Sequence, residues 1–314
     1  MKVVYHSTAG RGVQSRFASL EEQGIFVTSC AEFDRDRFKV VLADADVLWH
    51  LLEPVTADVI ALAPRLQLIQ KIGVGVNTID LDAARQRNIA VCNMPGTNSQ
   101  AVAEMTLLLM LTTLRRVNHL DQATRTGKTQ GLTVDLQDES GEICGRTIGL
   151  VGYGAVPRLL APVLKAMGAS VVYTCPEAKA DALGEYRSFA ELLAVSDIVS
   201  LHVPLTGNTD KMVNEVAIKR MKPGAILINT SRGGVVDEEA LRRALGERRL
   251  AAAGLDVFAS EPLEPDDPLL SLDNVVVTPH VAYLTAETMV RSIRVAAENC
   301  RRLASNEELL HRVV

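Results

Sequence analysis

The sequence predicts an α/β protein with two domains, and three observations support this. Short apolar segments rich in β-branched residues alternate with helical segments over nearly the whole chain, which is typical of parallel sheets covered by crossover helices. The 314 residues exceed the length of one ordinary domain, and 47% hydrophobic residues can fill a large core. A glycine-rich turn follows an apolar strand near the middle of the chain, where it predicts a doubly wound sheet.

A long helix separates the strand predictions into two series. Pro95-Gly96 ends the first series, and the apolar sequence that follows predicts a helix from about Asn98 to Arg116. Polar residues then predict a surface connection over 126–145. The first series comprises strands at 3–5, 24–27, 47–49, 66–71 and 89–92, with helices at 56–63 and 80–87. The second series comprises strands at 147–151, 170–173, 198–202, 225–229, 252–257 and 275–278.

The composition argues against several classes of function. The net charge is −5 and the basic residues are scattered, which disfavours nucleic acid as a partner. The first residues lack the apolar stretch of a signal peptide, and no apolar run reaches membrane-spanning length, so the sequence predicts a cytoplasmic protein without membrane contact. The five cysteines are isolated, which predicts neither a disulfide framework nor a metal site.

The glycine-rich turn predicts a Rossmann-type dinucleotide site. Gly152 and Gly154 would let backbone amides approach a pyrophosphate at the positive end of the next helix. Pro157 stands where the motif usually has its third glycine, and proline is tolerated in a first helical turn. Cys175 stands where NAD sites usually have an acidic residue, and no arginine lies beside it in sequence. The choice between NAD and NADP therefore stays open.

Three later segments place reactive side chains at the ends of successive strands. They read NTSRGGVVD at 229–237, DVFASEP at 256–262 and TPHVA at 278–282. Together with GVGVNTIDLDAA at 73–84 and AVAE at 101–104, they resemble the D-isomer-specific 2-hydroxyacid dehydrogenase family over most of the chain. The resemblance implies hydride transfer between NAD or NADP and a small 2-hydroxy or 2-keto acid. It implies three catalytic residues, namely Arg232, Glu261 and His280.

The chemistry of that reaction suits the three residues. Oxidation of a secondary alcohol removes a hydride from C2 and a proton from its oxygen, so a proton-exchanging group such as His280 must lie beside the hydroxyl. Glu261 would stabilise the imidazolium and fix its tautomer. Arg232 would hold the substrate carboxylate with its planar charged fork and polarise the carbonyl.

The resemblance also implies the domain organisation. A smaller flavodoxin-like α/β domain that binds substrate would comprise residues 1–98 and 283–314, and a dinucleotide-binding domain would comprise residues 99–282. Substrate would be closed between the two domains. The long helix after Asn98 would form a homodimer.

Further ligand contacts follow from the same resemblance. Backbone amides at Val74 and Gly75 would bind the substrate carboxylate together with Arg232 and His280. Asp256 would lie near the nicotinamide carboxamide. The full set of implied cofactor contacts is Gly152, Gly154, Ala155, Val156, Cys175, Thr209, Thr230, Ser231, Arg232, Asp256 and His280.

Each candidate also has a purely structural interpretation. Arg232 could cap a helix, Glu261 could belong to a turn, and His280 could be an ordinary loop residue. Thr209 and Thr230 could be local caps. The order of the three catalytic candidates at successive strand ends favours function, because ligands bind at that edge of such sheets.

Differences from relatives reduce the range of substrates that the sequence favours. Formate dehydrogenases of the superfamily use Gln in place of Glu261, and a phosphite-oxidising relative has Lys in the Val74-Gly75 loop. Phosphoglycerate-type members have basic residues in an early loop, whereas residues 49–53 contain no Arg or Lys. These differences favour a substrate with an uncharged side chain, as in glyoxylate, hydroxypyruvate or a larger 2-keto acid.

Two alternatives remain beside this interpretation. One is phosphoglycerate dehydrogenase, and the other is a nicotinamide-sensing binding protein similar to the corepressors that resemble this family. For the enzyme, Trp49, His50 and Tyr283 are candidates to shape the substrate pocket.

Overall fold

The computed structural model describes the backbone of all 314 residues and every side chain except those of Leu132, Thr133, Asp135 and Asp138. Its strands are β1 (Lys2–His6), β2 (Phe26–Cys30), β3 (Val47–His50), β4 (Leu68–Lys71), β5 (Ala90–Cys92), β6 (Thr147–Val151), β7 (Ser170–Thr174), β8 (Glu185–Tyr186), β9 (Ile198–Leu201), β10 (Ala225–Asn229), β11 (Leu250–Leu255) and β12 (Val275–Val277). Its α-helices are α1 (Arg11–Leu20), α2 (Arg35–Ala43), α3 (Ala57–Ala61), α4 (Leu81–Gln86), α5 (Ser99–Arg115), α6 (Val117–Arg125), α7 (Leu132–Glu139), α8 (Ala155–Ala166), α9 (Phe189–Val195), α10 (Glu215–Arg220), α11 (Glu238–Gly246) and α12 (Ala286–Ala304).

The chain divides into two compact units. The first unit comprises Met1–Asn98 and Leu284–Val314, and the second comprises Ser99–Tyr283. The C-terminal helix α12 therefore returns to the first unit, where Met289 and Ile293 join the apolar core on one face of the sheet. The other face of that sheet has its own apolar core, to which α2 contributes Phe38 and Leu42.

Both sheets are parallel, and their strand orders explain where ligands can bind. The first sheet has the order β2-β1-β3-β4-β5, which is the flavodoxin-like order. The second has the order β12-β11-β10-β9-β6-β7-β8, so strand order reverses between β9 and β6. In such sheets ligands bind at the carboxyl ends of the strands next to the reversal. The predicted fold class is confirmed.

The long helix α5 forms much of the core of the second unit. It packs against α8 and against strands β10, β11 and β12. Leu109 and Met110 are buried there, and a Cβ atom added at Gly254 of β11 would lie 3.0 Å from the Cβ atom of Leu109. Gly254 thus lets the helix approach the sheet closely.

Several local features of the structure differ from the sequence predictions. Strand β2 begins at Phe26 and not at Gly24, because Gly24 has a φ of +74° in the preceding turn and Phe26 pairs with Lys2 of β1. Helix α7 lies within the polar stretch 126–145 that predicts a surface connection. The two-residue strand β8 extends the second sheet beyond β7 and is too short for a clear sequence pattern.

Candidate active site

Three neighbouring strands bring the catalytic candidates to one edge of the second sheet. Arg232 follows β10, Glu261 follows β11 and His280 follows β12, and these three strands are adjacent and parallel. Loops at the carboxyl ends of parallel strands meet at one edge. The three segments, which follow one another along the chain, therefore lie next to one another in space.

His280 and Glu261 form a short, directed hydrogen bond. The Nδ1 atom of His280 lies 2.6 Å from Oε2 of Glu261, and the other carboxylate oxygen accepts a 2.9 Å bond from the backbone amide of Phe258. The two side chains remain 18% and 31% exposed. The Phe258 bond fixes the carboxylate, and the carboxylate in turn fixes the imidazole ring.

The surroundings of Glu261 keep its carboxyl group ionised at neutral pH. Burial favours its neutral form, but hydrogen bonds from His280 and the Phe258 amide, with the nearby charge of Arg232, outweigh this and lower its pKa below the ordinary value. An ionised carboxylate only accepts hydrogen bonds, so Nδ1 of His280 carries a hydrogen. Burial lowers the pKa of Arg232, whereas Glu261 opposes this shift, and a guanidinium remains charged throughout the physiological range.

Asp256 is buried beneath the segment that carries His280. Its carboxylate accepts bonds from the Thr278 hydroxyl at 2.5 Å, the Val281 amide at 2.9 Å and the Ala282 amide at 2.8 Å. The side chain is 0% exposed. His280 has a φ of +52°, a left-handed conformation that is uncommon for a residue with a side chain. These three bonds hold the segment on both sides of His280 and offset its unfavourable backbone.

Replacing Asp256 by Asn is expected to destabilise the protein by about 3 kcal/mol, because hydrogen bonds to a buried charge contribute about 1.5–3 kcal/mol each. The asparagine NH2 group would also face a backbone amide donor. Urea unfolding measures this loss. Asp237→Asn is the matched control, since Asp237 caps α11 and Asn caps a helix equally well. Equal stability of both variants and the parent would contradict this account of Asp256.

Gly233 lets the Arg232 loop meet the Glu261 loop. A Cβ atom added at Gly233 would lie 1.8 Å from the backbone carbon of Phe258 and 2.3 Å from the amide nitrogen of Ala259. No side chain can occupy that space. Local sequence does not distinguish this glycine from one in an ordinary turn, and the Gly233-Gly234 pair directly after Arg232 is its one visible signal.

The glycine-rich turn has the form that a pyrophosphate requires. Gly152 has a φ of +95°, and a Cβ atom there would lie 2.5 Å from the carbonyl oxygen of His202. Gly154 begins α8 with no side-chain cap, and a Cβ atom built on it would meet nothing within 4 Å. The first helical amides, at Ala155 and Val156, are thus next to open space. Pro157 is accommodated in the first turn, where a proline removes no needed donor.

The other predicted cofactor contacts on this edge form hydrogen bonds within the protein. The Thr209 hydroxyl donates to the carbonyl oxygen of Pro204 at 2.6 Å, and the Ser231 hydroxyl donates to the Asn229 side chain at 2.9 Å. The Thr230 hydroxyl lies 2.9 Å from that of Thr106 and is nearly buried. These bonds fit the structural interpretation, and the cofactor roles of the three side chains stay predictions.

The end of β7 differs from its sequence interpretation in one respect. Cys175 follows the strand as predicted, and its thiol donates to the carbonyl oxygen of Glu177 at 2.8 Å. However, Arg158 of α8 lies over the ring of Tyr153, which packs against Tyr173 of β7, and it forms an ion pair with Asp181. An arginine therefore lies near this strand end in space although the neighbouring sequence contains none, because a helix and not the strand supplies it.

Val74 and Gly75 belong to the first unit, in the loop after β4. The Val74 side chain is 44% exposed, and its carbonyl oxygen accepts a 2.9 Å bond from the Asn93 side chain. This bond orders the loop in which both amides lie. Their role toward substrate stays a prediction.

The pocket candidates separate into two groups. Trp49 and His50 are fully buried in the first unit, where the Trp49 ring packs against Phe17 and His50 Nε2 lies 2.8 Å from the Thr78 hydroxyl. Their burial fits a role in the core and not on a pocket surface. Tyr283 lies beside the candidate site, with its ring centroid 6.2 Å from that of His280.

Among the residues whose side chains are described, no group of three or more His, Cys, Asp or Glu residues is arranged to hold a metal ion. In the same part of the chain, no helix has the length and apolar character needed to cross a membrane.

Comparisons with known proteins agree with the fold. Residues 107–282 match the family model described as D-isomer specific 2-hydroxyacid dehydrogenase, NAD binding domain. The chain is 42% identical to a glyoxylate reductase of Korarchaeum cryptofilum over 261 residues, which cover 82% of this chain and 79% of that protein. It is 36% identical to a hydroxypyruvate reductase of Thermotoga maritima over 278 residues, with 87% and 89% covered. The solved structure of the TT0316 protein from Thermus thermophilus superposes with a TM-score of 0.91 at 35% identity, and both chains are covered completely.

Proposed function

Because the chain belongs to the D-isomer specific 2-hydroxyacid dehydrogenase family, we propose that it reduces glyoxylate, hydroxypyruvate or a similarly small 2-keto acid. The chain is an NAD(P)-dependent oxidoreductase of 2-hydroxy and 2-keto acids. The names of the two relatives support the choice of a small substrate with an uncharged side chain. The absence of Arg and Lys at 49–53 supports it further.

The 2.6 Å bond between His280 and Glu261 is the observation that carries the proposal. Since Nδ1 donates to Glu261, the other ring nitrogen, Nε2, is the atom that exchanges a proton with the substrate oxygen. A nicotinamide cofactor, when bound, would supply or accept the hydride at C2 of the substrate. During reduction, His280 gives its Nε2 proton to the developing alkoxide, and during oxidation it takes that proton back. Glu261 stabilises the imidazolium in both directions.

Arg232 is proposed to bind and orient the substrate. Its guanidinium offers parallel N–H donors that match a carboxylate, and its partial burial strengthens the interaction with an anion. One donor also holds the Ser231 carbonyl oxygen at 2.6 Å, which limits movement of the side chain. The amides of Val74 and Gly75 are proposed as further ligands of the carboxylate, and the first unit is accordingly proposed to be the substrate-binding domain.

His202 is a second histidine near the glycine-rich turn, and its environment disfavours it as a proton donor. Burial lowers its pKa to about 3, and its Nε2 atom lies 2.9 Å from the Ser200 hydroxyl. It is therefore neutral at physiological pH. We assign the proton transfer to His280 alone.

A turnover assay tests the proposal. The protein is supplied with NADH or NADPH and with glyoxylate, hydroxypyruvate, pyruvate or 3-phosphohydroxypyruvate, and cofactor oxidation is followed by the loss of the absorbance of the reduced nicotinamide. We expect the highest kcat/KM with glyoxylate or hydroxypyruvate. A preference for the phosphorylated substrate would instead support phosphoglycerate dehydrogenase. Cofactor fluorescence quenching without oxidation of any substrate would support the binding protein.

Glu261→Gln is expected to lower kcat for reduction about tenfold or more, because a neutral amide stabilises the imidazolium less than a carboxylate and can turn its NH2 group toward Nδ1. Steady-state kinetics measure kcat, and titration with the reduced cofactor shows whether cofactor binding is retained. Glu264→Gln serves as a control for a lost carboxylate in the same connection. Equal kcat values for the parent and Glu261→Gln would contradict the role of the pair.

We further propose that the enzyme is a cytoplasmic homodimer. Leu108 of α5 is 54% exposed and Val117 of α6 is 46% exposed, which leaves apolar surface for a second copy of the chain. Cys144 is an exposed free thiol, which suits a reducing compartment. Sedimentation velocity of the parent and of Leu108→Lys would test the dimer, since a monomeric parent contradicts it.

A further inference from the structure

The segment after β7 folds back onto the glycine-rich turn. The backbone amide of Leu183 donates to the Tyr153 hydroxyl at 2.8 Å, and the Tyr153 ring packs 4.4 Å from that of Tyr173. Arg158 lies over the Tyr153 ring at 5.5 Å and forms an ion pair with Asp181. These contacts hold a guanidinium beside the end of β7, at the place where a dinucleotide with its pyrophosphate on the turn has its adenosine ribose.

The same place lacks the carboxylate that would select NAD. In NAD sites an acidic residue at this strand end binds both ribose hydroxyls and repels a 2′-phosphate. Here Cys175 occupies the position, and its thiol donates a hydrogen bond to the carbonyl oxygen of Glu177. Nothing at Cys175 itself repels an added phosphate.

We propose that Arg158 binds the 2′-phosphate of NADP(H) and makes the enzyme prefer it over NAD(H). This inference rests on the proposed dehydrogenase function and adds the residue that determines cofactor choice. Arg158 exchanges Asp181 for the phosphate when the cofactor binds. Tyr153 keeps the guanidinium in place during the exchange.

The balance of charges favours that exchange. Asp181 is 69% exposed and Arg158 is 39% exposed, and ion pairs so open to water contribute little stability. A phosphate monoester carries nearly two negative charges and three acceptor oxygens, which match the parallel donors of a guanidinium. Lys179 also interacts electrostatically with Asp181, so a second cation lies near the same position.

Binding of 2′,5′-ADP and of ADP tests the proposal without turnover. Both nucleotides are titrated by isothermal calorimetry, and NADPH and NADH are titrated by cofactor fluorescence. For the parent protein we expect 2′,5′-ADP and NADPH to bind about tenfold or more tightly than ADP and NADH, as one charged hydrogen-bonded contact allows. Tighter binding of ADP and NADH by the parent would overturn the proposal.

Substitutions then locate the contact. Arg158→Leu is expected to weaken the binding of NADPH about tenfold while changing the binding of NADH less than about twofold. Arg158→Lys should recover part of the lost NADPH affinity. Asp181→Asn should tighten the binding of NADPH, because it removes the anion that competes with the phosphate for Arg158. Cys175→Asp should shift the preference toward NADH. Arg243→Leu is the control, since Arg243 is a similarly exposed, ion-paired arginine on α11.

If Arg158→Leu weakened the binding of NADPH and NADH equally, the assignment of Arg158 would be contradicted. It would also be contradicted if the variant kept the cofactor preference of the parent. Intact NADH binding in each variant shows that it is folded. These readouts need no 2-keto acid. An enzyme that lacks turnover but shows the expected cofactor pattern would therefore refute the proposed substrate and not the role of Arg158.

Discussion

His280→Ala is expected to lower kcat for 2-keto acid reduction by about 10²–10⁴-fold, because the developing alkoxide loses its positioned proton donor. The dissociation constant of the reduced cofactor should change little, since the glycine-rich turn and Arg158 are untouched. Stopped-flow kinetics with cofactor titration separate the two quantities. A loss of cofactor affinity without a loss in kcat would contradict the role of His280.

The left-handed backbone at His280 requires its own controls. His311 is exposed and has a φ of +53°, so His311→Ala places alanine in the same conformation within the first unit. We expect that variant to retain full activity. His280→Asn adds a residue that tolerates this conformation but cannot act as a proton donor of comparable acidity. It should be as inactive as His280→Ala, and recovered activity would indicate that backbone strain caused the defect.

Gly233→Ala is expected to be strongly damaging although it changes none of the three catalytic candidates. The added methyl group would lie 1.8 Å from the Phe258 backbone, and a backbone contact cannot be relieved by rotation of a side chain. We expect a loss of about 3 kcal/mol in the free energy of unfolding, as for severe overpacking. Displacement of the Arg232 loop by about 1 Å would also lower kcat/KM about 10²-fold.

Gly234→Ala is the matched control for that change. Its added Cβ atom would lie 3.0 Å from the end of the Leu205 side chain, which can rotate away. We expect a small loss of stability and nearly unchanged kinetics. If both variants behaved alike in urea unfolding and in kcat/KM, the close approach at Gly233 would not be what holds the two loops together.

The sequence predicted the sheets well because strand signals in this chain are strong and local. Apolar runs bounded by glycine and proline placed the strands at 147–151 and 225–229 at their observed bounds. The position of Arg232, Glu261 and His280 after three successive strands then followed from the rule for parallel sheets. Their spatial proximity required no knowledge of side-chain packing.

The features that the sequence analysis missed depend on distant parts of the chain. Gly233 is required by the backbone of Phe258, which lies on another loop, so its local pattern resembles any flexible turn. Arg158 reaches the end of β7 only because the segment up to Leu183 folds back onto Tyr153. The bonds that the Asp256 carboxylate accepts from backbone amides of the His280 segment join two loops, so sequence alone does not reveal them, and its role toward the nicotinamide stays a prediction.

Deuterium transfer tests the central claim most directly. Hydroxypyruvate is reduced with NADPH or NADH that carries deuterium at both C4 positions, and the glycerate formed is analysed by mass spectrometry and chiral chromatography. We expect one deuterium at C2, because the hydride reaches C2 while His280 protonates the oxygen, and we expect the D configuration because the family is D-isomer specific. Glycerate without deuterium, or of the L configuration, would contradict the account.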